Sequence, residues 1–265
     1  MHLLLGLEIM GLMNGHFHLE ELRMTIVHIY PQIPLGTFTL LQRLKTQLIL
    51  IHLPIFQQSY GQLTGANTLV KYNHSGNFIW GHLFQDIGGF IRIQDIAINS
   101  SNEIGITGVY SNDQMQSFDF DPGVDTTYII NTTTQRSFVA LYESDLTFKW
   151  TQDIGQTYFH SNDLAFNEDN DAFVVGHIRG FGDPQEAFIS KCDSTGILEF
   201  SNILTTDDEV LNLNVTTNSL NEPVVTAQYS GIVDLDPSTN TFDLNSITGA
   251  PHSFFVNYSE NGDFQ

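Results

Sequence analysis

The sequence predicts an all-β chain: four-stranded antiparallel blades set side by side over residues 61–265, preceded by an atypical segment at 1–60 that is irregular or poorly folded. Three observations carry that reading. A strand–turn–strand segment ending in an aromatic residue recurs four times. A second alternating pair recurs between its copies. Nothing between these pairs reads as helix.

The first copy runs Thr68-Leu-Val-Lys-Tyr72, then the turn Asn73-His-Ser-Gly76, then Asn77-Phe-Ile-Trp80. The second is Phe138–Tyr142, Glu143–Leu146 and Thr147–Trp150; the third is Phe188–Cys192, Asp193–Gly196 and Ile197–Phe200. A fourth begins at Phe254–Tyr258 and continues through Ser259–Gly262 to Asp263-Phe264. Alternation buries one face of each strand, and a turn that often ends in Gly supplies the positive φ a hairpin requires. Between these lie Ile93–Ile98 with Ile104–Tyr110, Leu164–Phe166 with Ala172–Gly176, and Leu211–Val215 with Val224–Ala227. Each pair is joined by an Asn-rich turn. A third element, Phe118-Asp-Phe-Asp-Pro-Gly123, is matched by Val233-Asp-Leu-Asp-Pro-Ser238. The middle repeat retains only Gly182-Asp183-Pro184, so Trp150 to Phe200 is 50 residues, against 70 from Trp80 to Trp150. One such four-stranded sheet has two apolar faces and must be packed between neighbours, which makes an incomplete β-propeller of about three blades.

Composition limits the function. The chain has 265 residues, with 9 Lys and Arg against 30 Asp and Glu, a net charge of −21. Such acidity argues against non-specific nucleic-acid binding, which needs cationic side chains at the phosphates. No run of 18 uncharged apolar residues is present to span a membrane as a helix. Cys192 is the single cysteine, which excludes an internal disulfide and leaves it most simply a buried small hydrophobe.

The charge is not spread evenly. Residues 1–60 hold three acids and three bases and no Asp, while 19 Asp follow from Asp86 onward. No signal peptide is visible, because no basic region precedes the short apolar stretch after Met1. We read 1–60 as an upstream blade translated out of frame. Codons built from the third base of one codon and the first two of the next turn Met10-Gly11 into Gly, Met13-Asn14 into Glu and Asn14-Gly15 into Trp or Arg. That restores the spacing of Gly76 to Trp80. The same offset lets Leu48–His52 encode Asp-Phe-Asp-Pro, some 70 residues before Asp119–Pro122. On this reading His16 and His18 are no metal site.

Asn102, Thr107, Gly108, Asp119–Gly123, Lys71, Gly76–Phe78 and Trp80 together resemble the repeats of secreted and cell-surface bacterial β-propeller proteins, over about 68–264. Pro223 and Glu143 depart from that pattern. The resemblance implies an extracellular or cell-surface location, with a glycan or a surface protein as partner alongside the remaining blades of a longer protein.

No Gly-x-Ser-x-Gly, phosphate loop or His-x-x-x-His spacing marks catalysis. His74, His82, His160, His177 and His252 are scattered and expected in turns or at the surface. Asp119 with Asp121, and Asp234 with Asp236, lie two apart on predicted strands and so share a face. They could form turns, hold Ca²⁺, or act as acid and base on a glycoside. Recurrence between units favours the turn. Asn167, Asp169 and Asp171 place oxygens at alternate positions, a weaker calcium pattern that lacks the Gly and distal Glu of an EF-hand. Three functions are open: a non-catalytic scaffold or adhesion surface, a calcium-dependent glycan- or protein-binding module, and a propeller-class glycosidase or lyase. Sequencing the DNA over codons 1–60 tests the shifted frame: an insertion or deletion near codon 60 is expected, and a nucleotide sequence lacking any insertion or deletion nearby overturns it.

Overall fold

The computed structural model describes β-strand backbone at 25–27, 39–43 and 47–52, and residues 67–73, 77–84, 89–112, 118–123, 128–129, 135–155, 158–179, 184–246 and 250–265. Among them there is no helix. The chain divides into two units, 1–86 and 87–265. In the first, β1 (Thr25–Val27), β2 (Thr39–Arg43), β3 (Gln47–His52), β4 (Asn67–Asn73) and β5 (Phe78–Phe84) form one antiparallel sheet in sequential order. Three of these strands lie in the segment expected to be irregular. Runs such as Leu48-Ile-Leu-Ile51 are rich in strand-forming residues whatever their origin. The remainder of 1–60, and with it most of the shifted-frame reading, lies outside the described residues.

The second unit holds three antiparallel meanders. The first joins β6 (Gly89–Ile98), β7 (Ile104–Asn112), β10 (Arg136–Tyr142) and β11 (Phe148–Ile154), with β8 (Phe118–Asp119) and β9 (Tyr128–Ile129) as a separate hairpin between its second and third strands. The second sheet is β12 (Phe159–Phe166), β13 (Ala172–Ile178), β14 (Glu186–Cys192) and β15 (Leu198–Leu204). The third is β16 (Glu209–Thr217), β17 (Pro223–Ser230) and β20 (His252–Asn257), with β18 (Ile232–Asp234) and β19 (Asp243–Asn245) as its inserted hairpin. A bridge between Tyr258 and Phe264 marks where a fourth strand would run. These pairs coincide with the sequence repeats.

The first strands carry the contacts between sheets: β12 packs against β6 and β7 on one side and β16 on the other. Phe173, Val175, Ala187 and Ile189 of the second sheet form one core with Val210, Val215, Val225 and Ala227 of the third. Each first strand is bulged, at Ile93/Asp95, Ser161/Asp163 and Leu211/Asn214. Opposite the first two bulges stand Gly108 and Gly176. A Cβ at Gly108 would lie 2.0 Å from the Arg92 carbonyl oxygen, and one at Gly176 2.1 Å from that of His160. The bulge therefore explains a glycine that hairpin chemistry alone does not.

At the outer edge an aromatic ring of one sheet covers the turn of the next. Trp150 lies against Gly196 and donates its Nε1–H to the Ser194 carbonyl at 3.1 Å; Phe200 lies against Gly262. Both glycines have positive φ, 91° and 84°. They are thus held by conformation and by the neighbour's ring together.

These two glycine types predict different losses. Gly196→Ala adds left-handed strain of about 1–2 kcal/mol and displaces a ring that can move. Gly108→Ala sets a methyl against backbone and should cost about 3 kcal/mol or more. Urea midpoints should fall in that order at constant m-value; equal losses would contradict the bulge assignment.

Candidate functional site

The paired aspartates do not share a strand face. Asp119 ends β8 and Asp234 ends β18, while Asp121 and Asp236 sit beyond, in the turns. The expectation fails because each first carboxylate bends the chain immediately. Asp119 Oδ1 accepts the Asp121 N–H at 3.0 Å, and Asp121 Oδ1 accepts the Gly123 N–H at 2.7 Å. Asp234 Oδ1 accepts from the amides of Asp236 and Phe242 at 3.0 and 2.8 Å, and Asp236 Oδ1 from Ser238 at 2.9 Å. These are successive Asx turns. The apolar residue between the acids, Phe120 or Leu235, is buried. Its carbonyl accepts the hydroxyl of Tyr142 or Tyr258, each at 2.9 Å. Burial, with the nearby aspartates second, pushes both phenol pKa values up, so the hydroxyls stay donors.

Asn167–Asp171 is the middle one of three equivalent turns. In Asn99–Glu103, Asn167–Asp171 and Asn218–Glu222 the first Asn Oδ1 accepts the amide of the fifth residue, at 2.9, 2.8 and 3.1 Å. The fourth residue, Asn102, Asn170 or Asn221, has φ of 62°, 66° or 64°, a conformation Asn tolerates. Two of these asparagines also grip the preceding turn. Asn170 Oδ1 accepts from Ser100 N–H and Oγ–H at 3.1 and 2.7 Å. Asn221 Oδ1 accepts the Glu168 N–H at 3.0 Å, and its Nδ2 donates to Asp169 Oδ2 at 2.5 Å. A shallow depression of about 380 Å³ lies among the three turns, lined by Ser100, Phe166, Glu168, Thr217 and Ser219.

The oxygens suggested for a weak calcium loop are therefore directed at protein donors. Asp171 Oδ1 accepts the Ser194 N–H at 3.1 Å, and its Oδ2 pairs with buried Lys191 Nζ at 2.9 Å. Lys191 also meets Glu199 and Glu260 at 2.9 and 3.2 Å. Desolvation would lower the Lys191 pKa, but these three carboxylates outweigh it and raise it. In the first turn Lys149 bonds to Glu103, and that bond with one from Asn99 outweighs desolvation and lowers the Glu103 pKa. Among the described residues no three of His, Cys, Asp or Glu come together in a metal-holding group.

Sequence reasoning missed the most perturbed carboxyl, Asp95. It follows the bulge in β6, is 1% exposed, and its Oδ2 accepts the Leu164 N–H of β12 at 2.9 Å. Asp163, at the same place in β12, accepts the Val215 N–H of β16 at 2.7 Å. Asp95 Oδ1 is buried without a hydrogen-bond partner. Desolvation first, then the charge of Asp163, raises the Asp95 pKa well above the carboxylate range. An Asp followed by an apolar residue and Ala recurs, in Asp95-Ile-Ala97 and Asp163-Leu-Ala165, but the copy read as Leu164–Phe166 begins one residue too late to include it.

The histidines divide. His160 and His177 are not turn residues: they stack across β12 and β13 with ring centroids 5.2 Å apart. Burial, with His160 and Arg179 next, lowers His177 to about 4, and Asn162 Oδ1 meets its Nδ1 at 2.9 Å. His82 packs edge-on to Phe84, and His252 lies beside Tyr229; His74 lies outside the described residues. Cys192 is buried, which pushes its thiol up to about 12. No protein-family model matches the chain, and no curated protein matches it.

The Asp95 carboxyl makes stability depend on pH with a definite sign. Its raised pKa means the folded state holds a proton that the unfolded state releases near pH 3.9. The stabilising contribution is complete below that value and is lost as pH rises through the raised folded value. Asp95→Asn keeps an acceptor for Leu164 and cannot ionise. It should match or exceed the wild type by about 1 kcal/mol at pH 8, the gap closing toward pH 4. Denaturant titrations at both pH values check this; a variant uniformly weaker at both would refute it.

Proposed function

We propose that this chain is a section of an extracellular β-propeller serving as a non-catalytic scaffold whose turns offer a binding surface for a glycan or a protein. One observation carries the architecture: first strand packs on first strand, with the same bulge and the same aspartate-to-amide bond at both junctions. Sheets joined at one edge and separated by aromatic rings at the other fan about that edge. The resemblance of the Asp-Phe-Asp-Pro hairpins to cell-surface repeats supports the extracellular part. For a binding rather than catalytic role, the support is that the candidate carboxylates are engaged with backbone amides, where they build turns. The Asn-turn depression, lined by polar turn residues together with Phe166, is the surface we assign to the ligand.

A glycan array and a parallel hydrolysis screen on the full chain test this; binding without turnover is expected. Turnover abolished by an aspartate-to-asparagine change would establish the enzyme instead. Millimolar Ca²⁺ should leave the melting temperature unchanged. A rise of several degrees, lost in Asp121→Asn or Asp236→Asn, would establish the calcium-dependent module.

A further inference from the structure

The faces that meet between sheets can be compared position by position. Toward the second sheet, the first sheet presents Gly105, Thr107, Ser137 and Val139, all buried. The residues at those positions in the second sheet, Phe173, Val175, Ala187 and Ile189, are buried against the third. In the third sheet the same positions are Val224, Thr226, Ser253 and Phe255. There the face is open: Phe255 is 80% exposed, and Thr226 and Ser253 are exposed too. Thr226 and Ser253 repeat the Thr107 and Ser137 of a covered face, where the Ser137 hydroxyl accepts the Ser161 N–H of the next sheet at 2.8 Å. The other two contact layers stop at the same place. Ser219 and Leu220 occupy the turn positions that Asn170 and Asn221 grip in the first two turns, and they are exposed. Asn214 stands where Asp95 and Asp163 cap the following strand, and it is exposed.

We propose that this open face, Val224, Thr226, Ser253 and Phe255 with Ser219 and Asn214, is a docking surface for one further four-stranded repeat of the same kind. The inference rests on the side-by-side reading of the sheets. Its occupant follows from continuity with the two interfaces already formed. The arriving sheet would bring its first strand against β16, its own turn asparagine to Ser219, and an amide to Ser253 Oγ.

A tandem duplication tests it within the full chain. Residues 200–265 are repeated directly after Gln265, so that the Gln265–Phe200 junction reproduces Glu199–Phe200. Phe255→Cys in the first copy supplies a reporter thiol, since Cys192 is buried. Docking is expected to slow maleimide labelling of that thiol and hydrogen exchange at the Ser219 amide at least tenfold relative to the 265-residue chain. Asn221→Ala in the second copy should restore exchange at Ser219 while labelling stays slow. A second copy that remains unfolded, or that folds with labelling still fast, overturns the proposal, because a repeat that docks must cover this face to fold. Solution X-ray scattering separates the two readings. Slow labelling in a straight stack keeps the docking face and removes the propeller; fast labelling beside a curved array does the reverse.

Discussion

Edge strands govern this fold. β12 and β16 each begin a sheet, and the outward N–H groups of such a strand invite pairing with any neighbour. Continuous pairing from sheet to sheet would merge the meanders into one flat array and leave the Trp150 and Phe200 rings nothing to cover. Instead, a bulge turns each first strand, and one carboxylate replaces the ladder: Asp95 takes the Leu164 amide and Asp163 takes the Val215 amide. Each amide is satisfied without extending the sheet. The cost is a buried carboxyl at Asp95, beside a second acid, which raises its proton affinity. A hydrogen bond to an amide offsets about 0.5–1.5 kcal/mol of such a cost.

Around that bond the other contacts fall into order by distance from the first strands. The Asn turns tie strand ends together on one side, where Asn170 and Asn221 each reach back one sheet. At the far edge the rings of Trp150 and Phe200 each reach forward one sheet. Lys191 belongs to both directions, holding Asp171 of its own sheet and Glu260 of the next. A chain with 21 excess negative charges therefore spends one of its few buried cations on an inter-sheet junction. Exposed acids contribute little to such a junction; the buried Lys191 cluster contributes because removing the ammonium would leave Asp171 charged and partly desolvated.

Strand order and hairpin positions were legible in the sequence because they depend on local chemistry. Gly196 and Gly262 end turns, Phe138–Tyr142 forms a core strand, buried on both faces rather than on the single face that alternation predicts, and Asp119 and Asp234 open hairpins. The roles that escaped are those that lie between repeats. Gly108 reads as an ordinary strand glycine until the Arg92 carbonyl is placed against it. Trp150 reads as a strand end until it covers the turn of the following sheet. Asp95 reads as a polar interruption, since its partner amide is 69 residues away. The Asp pairs misled for the converse reason: spacing of two implies a common face only on a strand, and Asp121 and Asp236 lie past the strand ends.

Tyr142, Cys192 and Tyr258 share one place in their repeats and show how a hairpin is gained or dropped. The two tyrosines follow an inserted hairpin and donate to its buried carbonyl, at Phe120 and Leu235. Among the described residues, the repeat without β8–β9 or β18–β19 offers no such acceptor. A buried phenol there would lack a partner, at a cost of about 1–3 kcal/mol. Cys192, small and weakly polar, leaves nothing to satisfy. Hairpin and hydroxyl thus come and go together.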